Sequence, residues 1–142
     1  MSKLKIIKNT AKVNPRLVEF AFEFAKARAK KLGVKFHPKV CITKSEHRYS
    51  GWCRFEKQIV TLRFNLARIV NGLDARYPRF QNMPSYYCNG SEEVIIHLAA
   101  HEFGHCLGWD GSKTGERGCE LFAAECVTAW RDLQYADPAC LI

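Results

Sequence analysis

The stretch NGSEEVIIHLAAHEFGHCLG, residues 89–108, decides how the rest of the chain must fold. It opens with a helix start signal, Asn89-Gly90-Ser91, followed by two glutamates in the first turn, where the helix macrodipole favours acidic side chains. A run of apolar residues comes next, and Gly108 can end the helix in the left-handed conformation. The pattern therefore predicts a buried helix from about Ser91 to Leu107.

The end of this helix carries the pattern HExxH, as His101-Glu102-Phe103-Gly104-His105. Positions four apart lie on one helix face, so the two histidines can bind one metal ion together. Glu102 can reach a water molecule on that metal and take a proton from it. Because polar side chains in a buried helix are costly unless paired, the cluster favours a metal site over two structural histidines. We therefore predict Zn²⁺ as the cofactor and Glu102 as the catalytic base.

Length and composition indicate one globular domain over residues 1–142, with 47% hydrophobic and 25% charged residues. No apolar run is long enough for a membrane span, and the N-terminus lacks the apolar core of a signal peptide. The seven cysteines are odd in number and form no CxxC pair, which favours free thiols over a disulfide framework. These features predict a cytoplasmic protein, from a bacterium or phage.

The net charge of +8 is unevenly spread along the chain. Residues 1–80 hold 19 Lys and Arg against 5 Asp and Glu, whereas residues 81–142 hold 3 against 9. The acidic part is the part with the HExxH pattern, as expected where carboxylates serve a cation. The basic part indicates either contact with nucleic acid or a solvated surface that aids solubility. Nucleic acid is therefore a candidate partner of the basic N-terminal region.

The remaining sequence predicts an α+β fold. A helix runs from Pro15 to Leu32, between the cap Asn14 and the stop Gly33, with an apolar face that includes Ala27. Residues 1–13 form a short strand or a basic arm. Strand candidates follow, of which the last two alternate as a hairpin: Val34–Phe36, Val40–Thr43, Tyr49–Phe55 and Gln58–Asn65. We expect the N-terminal helix, a small, mostly antiparallel sheet of three or four strands, the HExxH helix and a last helix from about Gly115 to Tyr135.

Residues 66–90 are the least regular part of the sequence. Prolines break the pattern, and aromatic residues such as Phe80 and Tyr87 give the segment an apolar character. A long loop just before the HExxH helix is either a lid or substrate wall, or a plug over the sheet edge.

Catalytic zinc usually has three protein ligands, so the residues after His105 decide the kind of site. Asp110 is out of register by one residue. If the last helix returns antiparallel, the level of the metal falls opposite residues 117–121, which favours Glu120, with Glu116 one turn earlier. One of the two would bind the metal and the other would orient a histidine; otherwise both are surface acids. His97, one turn before the motif, is either a core histidine or an oxyanion contact.

The segment HEFGHCLGWDGS, residues 101–112, resembles the matrixin form of the metzincin motif, HExxHxxGxxH. The likeness extends through Gly108 and Asp110, but Gly111 stands where the third histidine belongs, and no methionine follows Met83. The resemblance is therefore local and lacks two defining features of that clan.

Over the HExxH helix and the helix after it, the chain resembles small gluzincin-type peptidases, including ImmA/IrrE-type and SprT-like proteins. Their ExxA[D/N] pattern corresponds here either to Glu116-Arg-Gly-Cys119-Glu120, with cysteine at the alanine position, or to Glu120-Leu-Phe-Ala123-Ala124, with alanine at the acidic position. The third histidine of SprT-like proteins has no counterpart after His105. The resemblance implies a zincin-like fold and a zinc metalloendopeptidase that hydrolyses a protein or peptide substrate. It implies Zn²⁺ held by His101, His105 and one of the two glutamates.

The alternative is a non-proteolytic module that binds nucleic acid through its basic region and has a vestigial or structural metal site. The two functions can also combine, in a peptidase that acts on proteins bound to nucleic acid.

Overall fold

The structure, a computed structural model, describes residues 3–75 and 86–136. Its elements in chain order are β1 (Lys5–Asn9), α1 (Pro15–Leu32), β2 (Lys39–Lys44), β3 (Tyr49–Arg54), β4 (Ile59–Phe64), α2 (Leu66–Ile69), β5 (Leu73–Ala75), β6 (Tyr86–Cys88), α3 (Gly90–Cys106) and α4 (Lys113–Ala136). The predicted α+β class is confirmed. None of the helices in the described ranges is long and apolar enough to cross a membrane.

The main sheet has four strands in the order β1-β2-β4-β3. β1 and β4 both run parallel to β2, and only the β3–β4 hairpin is antiparallel. The expectation of a mostly antiparallel sheet was therefore wrong. The physical reason is that α1 is a crossover, which returns the chain in the direction of β1. The predicted hairpin is present, but β4 inserts between β2 and β3, so β3 becomes an edge strand.

The ends of α1 follow the local signals in the sequence. The Asn14 side chain accepts a hydrogen bond from the Arg16 N–H at 3.1 Å, and Gly33 ends the helix with φ of 68°. Residues 34–36 form no strand, contrary to the prediction, because the Val34 N–H donates to the Ala29 carbonyl at 3.0 Å and completes the helix cap. Residues 1–13, left open between strand and arm, contribute β1 to the sheet.

The core lies between the helices and one face of the sheet. Val40, Ile42, Val60, Leu62 and Phe64 point inward from β2 and β4 and are buried. From α1, Phe22 reaches α3 with its ring centroid 6.1 Å from that of Phe103. The buried face of α1 is rotated from the predicted one, since Ala27 is exposed and Val18, Phe22 and Ala25 are buried.

Much of the irregular segment falls outside the described residues, including Phe80 and Met83. Of its described part, β5 and β6 pair as a small antiparallel sheet just before α3. The Tyr87 hydroxyl donates to the Asn71 carbonyl at 2.6 Å, which ties this sheet to the turn after α2.

Candidate metal centre

Helices α3 and α4 pack side by side in opposite directions. Three contacts show the direction, because residue numbers rise on one helix as they fall on the other: Glu93 with Arg131, His101 with Glu120, and His105 with Glu116. Gly104 permits the close approach, since a Cβ added there would lie 3.0 Å from the Cys119 Sγ and 3.4 Å from the Cys119 Cα. The predicted antiparallel return of the last helix is therefore confirmed.

The two histidines of the HExxH pattern lie next to each other, with ring centroids 5.3 Å apart. Together with Cys119 on α4 they offer one ligand atom each within 4.8 Å of one another. His101 and Cys119 are buried and His105 is partly buried. This group could hold a metal ion.

A carboxylate also meets both imidazoles. Glu116 Oε2 lies 3.0 Å from His101 Nε2, and Glu116 Oε1 lies 3.1 Å from His105 Nε2. His105 Nδ1 lies 2.8 Å from the Trp109 carbonyl oxygen, and because a carbonyl only accepts, this nitrogen carries the proton. Nε2 is therefore the ring nitrogen of His105 that faces Glu116.

Cys119 lies at the other edge of the His105 ring. Its Sγ is 3.6 Å from Nδ1, the nitrogen that the Trp109 carbonyl already engages. Burial, followed by the nearby charge of Glu116, raises the pKa of the Cys119 thiol, so a metal that bound there would displace its proton, as it would displace that of His101. The sequence predicted Cys119 only as a residue of the core. The signal that it also lies near the two histidines was its position between the candidate glutamates Glu116 and Glu120.

Glu120 lies on the opposite side of His101 from Glu116. Its Oε1 is 3.0 Å from His101 Nδ1, and its Oε2 is 3.1 Å from His97 Nε2. Both histidines and Glu120 are almost fully buried, with at most 4% of each residue exposed. The structure thus brings both predicted glutamates to the histidines, with Glu116 at the Nε2 atoms and Glu120 behind His101.

These contacts act on the pKa values of the histidines in opposite ways. Burial tends to lower the pKa of His101, but the contacts with Glu116 and Glu120 outweigh it and raise the value to about 10. Burial lowers the pKa of His97 to about 4, which keeps this ring neutral at neutral pH. His97 therefore serves as a core histidine against Glu120.

Glu102 lies on the side of α3 that faces the edge strand β3. It is 4% exposed, and a Cβ added at Gly51 would lie 3.0 Å from its Oε2, so the glycine gives the Glu102 side chain its room against the strand. Burial is the main cause that raises the pKa of Glu102 to about 7, with His101 opposing and Glu116 adding to the shift. A carboxyl group with such a pKa can both accept and donate a proton at neutral pH.

A cavity of about 620 Å³ opens over these groups, between β3 and the loop after α3. Its described lining has no Lys or Arg and comprises Gly51, Trp52, Cys53, Phe55, His101, Glu102, His105, Trp109, Asp110, Gly111 and Glu116. Asp110, the ligand candidate that was out of register, accepts a hydrogen bond from the Ser112 N–H at 3.1 Å. Glu120 and His97 do not belong to that lining.

Comparison of the chain with protein families, with curated proteins and with solved structures gives no match. The resemblance to gluzincin-type peptidases therefore stays an expectation carried by the residues of α3 and α4. The geometry of the cavity is the observation from which a function can be inferred.

Proposed function

We propose that this chain is a zinc-dependent metallopeptidase of the gluzincin type. The observation that carries the proposal is the meeting of His101 Nε2, His105 Nε2 and the Glu116 carboxylate, with Glu102 beside them, in one cavity. Glu116 is the third ligand in this proposal, and Glu120 is the residue that orients His101.

The chemistry of the donor groups fits Zn²⁺. Imidazole nitrogens and carboxylate oxygens are ligands that this ion accepts in four-coordinate sites. Glu102, Glu116 and Glu120 crowd their negative charges around two imidazoles, and no ammonium or guanidinium group lines the cavity among the described residues. Such a concentration of acids needs positive charge nearby: protonation of His101 supplies one charge in the metal-free site, and a bound zinc ion would supply two.

Glu116 is preferred over Cys119 because of the two ring nitrogens it faces. Its oxygens lie beside both Nε2 atoms, whereas the sulfur of Cys119 lies beside a nitrogen that is held by the Trp109 carbonyl. The same carbonyl fixes the orientation of His105, as Glu120 fixes that of His101. Each histidine is thus held on its Nδ1 side and presents Nε2 to the cavity.

Bound zinc would supply a Lewis acid that polarises the scissile carbonyl and lowers the pKa of a water molecule towards neutrality. Glu102 is the residue that moves protons. Its carboxylate accepts a proton from the attacking water and later donates it to the leaving amine. Gly51 leaves the space that Glu102 occupies, so the backbone of β3 lies directly beside the reacting bond.

The edge position of β3 supports an extended protein or peptide as the substrate. β3 pairs with β4 on one side, and no other described strand pairs with it on the other. A substrate strand can add to this edge through main-chain hydrogen bonds, and it would then cross the cavity beside Glu102. Trp52, Cys53 and Phe55 would contact its side chains.

Metal content by mass spectrometry tests the proposal, on protein purified without added metal. We expect about one zinc per chain in the wild type and loss of that zinc in His105→Ala and in Glu116→Ala. Cys119→Ser should keep the metal, and Glu125→Gln, an exposed acid on the same helix, is the matched control. Absence of zinc from wild type after reconstitution would overturn the metal site, and loss of zinc in Cys119→Ser alone would assign the ligand to Cys119 instead.

A further inference from the structure

The outer face of the main sheet, which points away from α1, α3 and α4, concentrates basic side chains. The strand register places Lys5, Lys39 and Arg54 in one row across the sheet, with Ile59 of β4 between the last two. Lys8 and Trp52 lie at the two ends of the next row, and Arg63 lies in the row after it. All five cationic side chains are exposed. These six residues, the five cations and Trp52, define the outer face.

No acidic residue occurs in the four strands of this sheet. The positive charge of the outer face is therefore not neutralised by neighbours in the same strands. The basic residues of α1 differ in this respect, since Glu19 and Glu23 lie among them and Arg28 pairs with Glu125 at 2.6 Å. The strands of the sheet therefore contribute charge of one sign to the outer face.

Trp52 adds an exposed aromatic ring to this surface, with 42% of the residue accessible. The Arg63 guanidinium lies 4.8 Å from the centre of its ring, which holds the indole in place and sets a cation beside it. A flat ring among cations is the combination that binds single-stranded nucleic acid, because unpaired bases stack on aromatic rings while phosphates meet Lys and Arg.

We propose that the outer face binds a single-stranded nucleic acid. The five cations contact its phosphates, and a base stacks on Trp52. A duplex is the poorer fit, because its bases are already stacked and the face offers neither a helix nor a ribbon that enters a groove. Trp52 also borders the cavity, so the bound strand lies beside the edge at which a substrate protein would be cleaved. The proposal does not depend on the metal centre.

Fluorescence anisotropy with a labelled oligothymidylate of about 16 nucleotides tests the proposal. With five phosphate contacts, the logarithm of the association constant should fall with the logarithm of salt concentration with a slope of about −3.5. The triple variant Lys5→Ala/Lys39→Ala/Arg54→Ala should reduce that slope by about 2 and weaken binding at least tenfold at low salt. Trp52→Ala should weaken binding about tenfold and leave the slope unchanged, because stacking releases no counterion.

The control is Arg16→Ala/Lys30→Ala/Lys31→Ala, which removes the same charge from exposed positions on α1, the helix from which the outer face points away. This control variant should change the salt slope by less than half as much as Lys5→Ala/Lys39→Ala/Arg54→Ala does. Equal weakening by both triple variants, or no binding by the wild type at low salt, would overturn the proposal. Tighter binding of a duplex of the same length would also overturn it and assign a double-stranded partner. Zinc content of the first triple variant should equal that of wild type, which separates this proposal from the metallopeptidase.

Discussion

The α3–α4 pair buries acidic side chains at both of its ends, and the two ends accommodate them differently. At one end, here called the arginine end, the Arg131 Nε lies 3.0 Å from each carboxylate oxygen of Glu93. At the other, the histidine end, Glu102, Glu116 and Glu120 surround His101 and His105. A guanidinium carries a permanent charge, so Arg131 neutralises Glu93 at the arginine end without a bound ion. An imidazole carries a charge only when protonated, as the raised pKa of His101 favours, so the charge at the histidine end can be exchanged for a bound cation.

The arginine end also connects three elements. Glu93 accepts a hydrogen bond from the Asn89 N–H at 2.9 Å, which helps to cap the start of α3. Arg131 on α4 donates to the Tyr87 carbonyl of β6. We infer that this end serves stability and that the histidine end serves chemistry. Each of the following predictions tests the property assigned to one end, and those on Arg131 also measure whether the other end responds.

The largest effect is expected for Glu102→Gln at the histidine end. The amide has the shape of the carboxylate but cannot accept a proton, so cleavage of a fluorescently labelled denatured protein should slow by about 10²- to 10⁴-fold. Zinc content should stay at the wild-type level, because Glu102 is not a proposed ligand. Hydrolysis at the wild-type rate would contradict the role of Glu102 as general base.

The next effect is expected for Arg131→Met at the arginine end. Removal of the guanidinium leaves the Glu93 carboxylate buried without its counter-charge, which should lower the free energy of unfolding by about 3 kcal/mol in urea denaturation. Adding Glu93→Gln should recover part of that loss, since no charge then remains buried. Zinc content should be unchanged in both variants. Loss of zinc in Arg131→Met would show that the two ends are coupled and not separate in function.

Metal removal should affect the histidine end alone. At a free zinc concentration of about 100 times the dissociation constant, binding to the folded state adds about 2.7 kcal/mol to stability. The melting temperature of wild type should therefore fall on treatment with a chelator, and that of Arg131→Met should fall by a similar increment from its lower starting value. Glu116→Ala should show no response to the chelator. A chelator effect of wild-type size in Glu116→Ala would exclude Glu116 as a ligand.

The ends of α1 could be predicted because short-range signals determine them. Asn14 and Gly33 act within one turn of the helix, through hydrogen bonds that their own neighbours complete. The sheet could not be predicted to the same degree, because strand direction depends on how α1 crosses over and on where β4 inserts. Neither the crossover nor the insertion can be predicted from the alternation of residues in Val40–Thr43 or Gln58–Asn65.

At the candidate metal centre, the HExxH pattern and the antiparallel return of α4 could be predicted, but the atoms that each glutamate contacts could not. α3 ends one residue earlier than predicted, at Cys106, and α4 begins two residues earlier, at Lys113. The His101–Glu120 and His105–Glu116 contacts nevertheless set residue 103 opposite residue 118, within the predicted level of 117–121. The signal that would have predicted the start of α4 was Ser112, whose hydroxyl accepts a hydrogen bond from the Gly115 N–H at 3.2 Å and caps the helix.

The smallest effect is expected for Glu120→Gln, which tests whether Glu116 is the metal ligand and Glu120 the residue that orients His101. The variant keeps the shape of the side chain but removes the charge that orients His101 through Nδ1, so zinc affinity should fall about 10- to 100-fold. The zinc affinity of Glu116→Gln should fall much further, because this substitution alters a proposed ligand. Competition with a zinc-binding dye measures both dissociation constants, with Glu125→Gln as the control. If Glu120→Gln loses more affinity than Glu116→Gln, the roles are exchanged, and Glu120 is the ligand, as the sequence favoured.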